Sequence, residues 1–161
     1  MVRSITVLCV GKLKESWLRE AAAEYQKRLS PYCRLQVVEV EEERTPEDPS
    51  PAQIARTLTA EGERLLSKIP AGAAVFALCI EGKEISSPAL SETLDRLAVE
   101  GISHAVFIIG GSWGLSDPVK AAAGWRLSMS PMTFPHQLAR VMLLEQLYRA
   151  AQISSGGKYH K

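Results

Sequence analysis

The chain has 161 residues, 46% hydrophobic and 23% charged, which is the usage of one globular domain rather than of a disordered or fibrous chain. Its net charge of +1 excludes a uniformly basic surface, yet residues 1–40 sum to +3, 41–100 to −6 and 101–161 to +4, so a basic patch can be assembled from the two ends. No apolar run nears the ~18 residues of a membrane span, and Cys9, Cys33 and Cys79 form no CxxC pair, which argues against a disulfide framework or a structural zinc and for a reducing cytoplasm.

In chain order, Ile5 to Val10 is a compact apolar run closed by Gly11, the pattern of a buried strand rather than of a cleavable signal. Trp17, Ala21, Tyr25 and Leu29, with Leu18 and Ala22 beside them, predict an amphipathic helix that stops before Pro31. Leu35 to Val40 reads as a second strand. Residues 41–51 hold three prolines and five acids, too little apolar area to bury, and predict a mobile surface loop. Ser50-Pro51 is a cap and first position for a helix carrying Ile54, Leu58, Leu65 and Ile69. Ala73 to Ile80 is a third strand followed by a turn at Glu81-Gly82-Lys83, and Ser87-Pro88 opens a helix with Leu90, Leu94 and Leu97 inward and Gly101 past its end. His104 to Ile109 is a fourth strand, a short helix follows Ser116, and Trp125 to Ser128 is a fifth strand. A long helix from Pro135 sets Leu138, Met142 and Leu147 on one side and ends near Ser154-Ser155-Gly156-Gly157. This alternation predicts one α/β domain over residues 1–161, with a mainly parallel sheet flanked by helices. Ligands of such sheets sit at the carboxyl ends of strands, so the loops after Ile80, Ile109 and Ser128 carry the interest.

Gly110-Gly111-Ser112-Trp113-Gly114 is either a site of close backbone approach to a ligand or a plain tight turn. Neither GxGxxG nor GxxxxGK[ST] occurs, which weighs against dinucleotide and P-loop binding. Met129-Ser130-Pro131-Met132-Thr133-Phe134 is unusually apolar for a connection, suited to a flat aromatic ring such as adenine or to capping the core. His136 and Arg140 share a helix face, where they would meet a phosphate or form an ion pair or cap. The terminal Lys158-Tyr159-His160-Lys161 is a frayed end or a stacking and phosphate-binding tail. No cysteine has a nearby histidine, so a thiol nucleophile is not expected.

The run from Leu127 to Gln137, continuing through Arg140, Glu145-Gln146-Leu147-Tyr148-Arg149-Ala150 and Tyr159-His160, resembles the small SPOUT methyltransferases. So do Val10-Gly11-Lys12-Leu13-Lys14, Glu24-Tyr25, Arg28-Leu29 and Ile109-Gly110-Gly111-Ser112, and the resemblance spans the chain. It implies an α/β fold whose C-terminal segment forms a deep trefoil knot, which general topology rules would have excluded. It further implies methyl transfer from S-adenosylmethionine to N3 of a pseudouridine in helix 69 of 23S rRNA, by a cytoplasmic homodimer acting on the assembled ribosome, without metal. Leu78, Gly110, Met129, Ser130, Pro131, Met132, Thr133 and Phe134 match the cofactor positions, and Tyr159 and His160 match the tail over the acceptor. His136, Arg140 and His160 are the groups to test for deprotonating N3. Cys79, Trp113 and Lys158 depart from the family pattern. A homodimer interface is expected on the last helix, at Val141, Leu143, Leu144 and Leu147. The rival is an RNA-binding assembly factor without chemistry; intact Gly110-Gly111 and an unbroken 129–134 loop favour the enzyme.

Overall fold

A computed structural model describes residues 1–161. Five strands, β1 (Ser4–Val10), β2 (Arg34–Val40), β3 (Ala74–Glu84), β4 (His104–Ile109) and β5 (Trp125–Ser128), form one sheet in the order β2-β1-β4-β3-β5, and every pairing is parallel. Between and after them run α1 (Ser16–Leu29), α2 (Pro51–Leu66), α3 (Ser87–Val99), α4 (Asp117–Ala122) and α5 (His136–Ser154).

Strand periodicity sorts the core into two layers. Ile5, Val7, Cys9, Ala105, Phe107 and Ile109 face one side of the sheet, where α1, α3 and α5 bury Leu18, Ala22, Leu90, Leu94, Leu144 and Leu147 against them. Leu8, Val10, Val106 and Ile108 face the other, covered by Leu65 of α2 and Val119 of α4. Leu144 has no accessible surface, and truncating such a leucine to alanine costs roughly 2–5 kcal/mol.

Local chemistry fixes the helix starts. Ser50 accepts the Gln53 N–H while Gln53 reaches back to the Ser50 N–H, a complete capping box with Pro51 in the first turn. Ser86 caps α3 by accepting the Ala89 N–H, without a reciprocal bond.

Several expectations need correction. On α1 the buried line is Leu18, Ala22 and Leu29, while Trp17 is 58% exposed. The turn expected at Glu81-Gly82-Lys83 is an irregularity inside β3: Leu78 and Lys83 both pair with Leu127, so the strand resumes its partnership with β5 after a bulge. On α5 the buried residues include Val141, Leu143, Leu144, Leu147, Ala150 and Ala151, because α1 and α3 flank it; Leu138 and Met142 are only half-buried. The four residues named for a dimer interface belong to the core of their own protomer, which leaves little of their surface for a second copy. The acidic segment is tied down at its start: Arg64 donates to the Glu41 carbonyl at 2.9 Å and pairs with the Glu43 carboxylate, and Trp113 Nε1 donates to Thr45 Oγ1 at 3.4 Å. No helix is long and apolar enough to cross a membrane.

Candidate cofactor and acceptor site

At the carboxyl edge of the sheet, the segments 78–81, 109–115 and 128–139 converge on a cavity of about 760 Å³. That is ample for a drug-sized ligand. Leu78, Gly110, Met129, Ser130, Met132, Thr133 and Phe134 all line it, joined by His136; Pro131 is the one residue of that loop that does not. Its lining mixes apolar side chains such as Leu78, Ile109, Met129 and Phe134 with the glycine loop and with Ser128, Ser130 and Thr133. Met129 packs on the core, as the capping alternative expects, whereas Met132 lines the cavity and stands 72% exposed.

The loops hold their own shape. Ser128 Oγ donates to the Ser130 carbonyl at 3.0 Å, and Ser130 Oγ accepts the Met132 N–H at 3.0 Å. Gly114 N–H closes back onto the Gly111 carbonyl at 3.1 Å. A Cβ on Gly110 would lie 2.5 Å from the Gly114 carbonyl carbon, so the turn itself demands glycine there, quite apart from any ligand. At the rim, Lys120 pairs with Glu81 and holds that carboxyl below its usual range.

The expected catalytic groups divide three ways. His136, half-buried at the start of α5, lines the cavity; burial lowers its pKa, Arg140 and Lys14 push the same way and Glu42 opposes them. Arg140 does not line the cavity. It is 3% exposed, donating to Glu39 Oε2 at 2.7 Å and to the Gly11 carbonyl at 2.8 Å. This geometry fastens the first turns of α5 to the ends of β1 and β2, where Gly11 turns with φ +77°. Cys9 beside it is pushed up to about 12 by burial, which keeps the thiol un-ionised.

Tyr159 and His160 dock elsewhere on α5. The Tyr159 hydroxyl donates to Glu145 Oε1 at 3.0 Å, its ring packs 4.8 Å from Tyr148, and the Arg149 guanidinium lies 4.7 Å over its face. Arg149 also approaches His160 Nδ1 at 3.4 Å. Burial and the Glu145 contact push the Tyr159 phenol up to about 12, so it carries its proton at neutral pH. Residues 136 and 149 are separated by thirteen steps of one helix, about 20 Å at 1.5 Å per residue. One protomer thus does not unite His136 with its own tail. Glu145 and Arg149, which organise that tail by an i,i+4 pair, were not singled out from the sequence as site residues; such a pair normally reads as a solvated helix face.

A family model described as "Predicted SPOUT methyltransferase" matches residues 3–160. Proteins named ribosomal RNA large subunit methyltransferase H are 48% identical over 158 residues in Clostridioides difficile and 50% identical over 157 residues in Bifidobacterium adolescentis, each match covering 98% of this chain and 99% of the relative. Among solved structures, a methylase family protein of Haemophilus influenzae superposes with a TM-score of 0.56 at 15% identity, over 100% of this chain and 72% of that one. A Legionella pneumophila protein, solved in complex with the bound cofactor SAM, gives 0.51 at 13% identity, over 92% of this chain and 66% of that one.

Proposed function

Because the chain belongs to the SPOUT methyltransferase family, we propose that it methylates N3 of a pseudouridine in helix 69 of 23S rRNA, on the assembled ribosome, with S-adenosylmethionine as donor. The observation that carries this reading is the convergence of three separate strand-end loops on one cavity, at the positions matched to the cofactor. The names of the near-full-length relatives supply the rRNA, and with it a cytoplasmic setting. Residues 1–161 would then be one catalytic domain. A C-terminal trefoil knot belongs to the same reading; β5 pairing outside β3, followed by the return of α5 between α1 and α3, supports it.

When bound, S-adenosylmethionine supplies a methyl group on a sulfonium, and the chain's task is alignment and proton handling. Leu78, Met129 and Phe134 would hold the adenosyl part, and the turn that Gly110 makes possible would present backbone to it. N3 of pseudouridine must shed a proton as it attacks. His136, kept neutral by burial beside the cavity, accepts that proton on its imidazole. Tyr159, docked through Glu145 and Arg149, with His160 beside it, is the part of the tail that would meet the acceptor once it leaves those partners. Arg140 acts through α5, holding His136 in place. Since His136 and the tail lie apart in one protomer, a second copy of the chain would bring the tail to the cavity.

The decisive experiment incubates the protein and S-adenosylmethionine with ribosomes from cells lacking the gene, then maps helix 69 by mass spectrometry. One added methyl on the pseudouridine base is expected. Ribosome binding without methylation, together with no calorimetric binding of S-adenosylmethionine, would instead identify an RNA-binding assembly factor.

A further inference from the structure

Glu61, on the inner face of α2, is a carboxyl that the reaction above does not use. Only 3% of it is exposed. Its Oε2 accepts the Glu43 backbone N–H at 3.0 Å, while its Oε1 is buried without a partner. A half-satisfied buried carboxyl costs stability, and an apolar residue of similar shape would avoid that cost. Burial pushes this carboxyl up, and Glu42 and Glu43 add to the effect against the Glu43 N–H and Arg64.

The position of that carboxyl is informative. A Cβ on Gly111 would lie 3.2 Å from Glu61 Oε1 and 3.5 Å from Oε2. The carboxyl therefore rests against the back of the Gly110–Gly114 loop, whose front lines the cavity. Gly62, the next residue, lets α2 come this close: a Cβ there would lie 3.2 Å from Ser116 Cβ, just past the loop. From Glu61 a chain of contacts runs outward. Glu43 N–H is held by Glu61, Arg64 holds Glu41 and Glu43, and Thr45 accepts from Trp113, which itself lines the cavity. Segment 41–45 is thus fastened to α2 at Glu41 and Glu43 and to the glycine loop at Thr45.

We propose that Glu61 is a positioning residue for the cofactor cavity, its buried carboxyl bracing the reverse side of the Gly110–Gly114 loop and clamping segment 41–45 against it. The loop is then formed before ligand arrives, which lowers the ordering cost of binding. The cofactor part of this inference rests on the function proposed above; the brace itself is a property of the unliganded chain.

Hydrogen exchange of the ligand-free protein tests the brace, and calorimetry with S-adenosylmethionine tests its consequence. In Glu61→Ala, exchange across 41–45 and 110–114 should rise by about tenfold or more, and the Kd should rise about tenfold. Glu61→Gln keeps an acceptor for the Glu43 N–H and should stay within about threefold of wild type on both readouts. Thr57→Ala, at an equally buried polar residue of α2, should change neither. Unchanged exchange in Glu61→Ala, or an equal rise in Thr57→Ala, would overturn the proposal. Should Glu61→Ala not fold, Arg64→Ala at the partly exposed end of the clamp must raise exchange in both segments, and failure to do so overturns it equally. A wild-type protein that binds no S-adenosylmethionine, yet shows this exchange pattern, would leave the brace standing and remove the proposed function instead.

Discussion

Arg140→Ala separates a buried brace from a group in the reacting site. The wild-type guanidinium is 3% exposed and makes two short bonds, to Glu39 Oε2 at 2.7 Å and to the Gly11 carbonyl at 2.8 Å. Removing one partner of a buried ion pair costs about 3–5 kcal/mol. The Glu39 side chain retains 34% exposure, so water takes over part of its solvation; loss of the unpartnered Arg140 Nε is a further small relief. Both push the cost toward the low end, about 3 kcal/mol. At 2–4 °C per kcal/mol for a chain of this size, the melting temperature should fall by roughly 6–12 °C. Arg140→Lys keeps the charge without the fork and should lie between the two. Thermal unfolding followed by circular dichroism reads this directly. If Arg140→Ala melts within about 2 °C of wild type while ribosome methylation disappears, the brace reasoning is wrong and the guanidinium works on the substrate.

Gly110→Ala places a Cβ against the Gly114 carbonyl group, so the turn must open. Binding of S-adenosylmethionine should weaken at least about tenfold, or ~1.4 kcal/mol, by calorimetry, and unchanged binding would remove this loop from the site. His136 should titrate below the ordinary ~6.5 in an NMR experiment, because burial disfavours its charged form. The unfolded chain then takes up that proton first, so the His136 contribution to stability is lost as pH falls through ~6.5 toward the folded value, and His136→Gln should flatten the slope. A midpoint at or above ~6.5 would contradict the assignment of a neutral base.

Much of this architecture was legible because the signals are local. Ser50-Pro51 marks a helix start within two residues, and the compact apolar run from Ile5 to Val10 marks a buried strand before any partner is known. The three cavity loops were legible through a rule of topology: ligands sit at strand carboxyl ends. What was not legible depends on distant partners. Trp17 and Leu18 both fit a helical stripe, and only the direction from which α5 approaches decides that Leu18 is buried. Arg140 reads as a surface cation until Glu39, remote in sequence, meets it. Residues on several sides of α5 looked like a dimer face because sequence periodicity cannot tell a helix flanked by two neighbours from one flanked by one neighbour and a second copy. Nothing near Glu61 in sequence announces that this helix acid is only 3% exposed.

The separation of His136 from the tail makes a stronger demand than any single substitution. Within one protomer, Tyr159 and His160 are held at Glu145 and Arg149, about 14 and 20 Å along α5 from His136 at the cavity. A site that needs both must take the tail from a second copy, or pull it off Glu145 and carry it down the helix. Mixing two defective proteins distinguishes these routes. His136→Ala removes the proposed base, and deletion of residues 159–161 removes the tail, so each variant alone should be inactive on ribosomes while the truncated form still binds S-adenosylmethionine. In a mixed dimer with shared sites, one site receives both defects and the other receives none. Random mixing makes about half of the dimers mixed, so about a quarter of wild-type activity should return. If each protomer supplies its own tail, every site in the mixture carries one defect and activity stays at the level of the separate variants. Absence of complementation, with mixed dimers demonstrated by native mass spectrometry, would therefore refute the shared site.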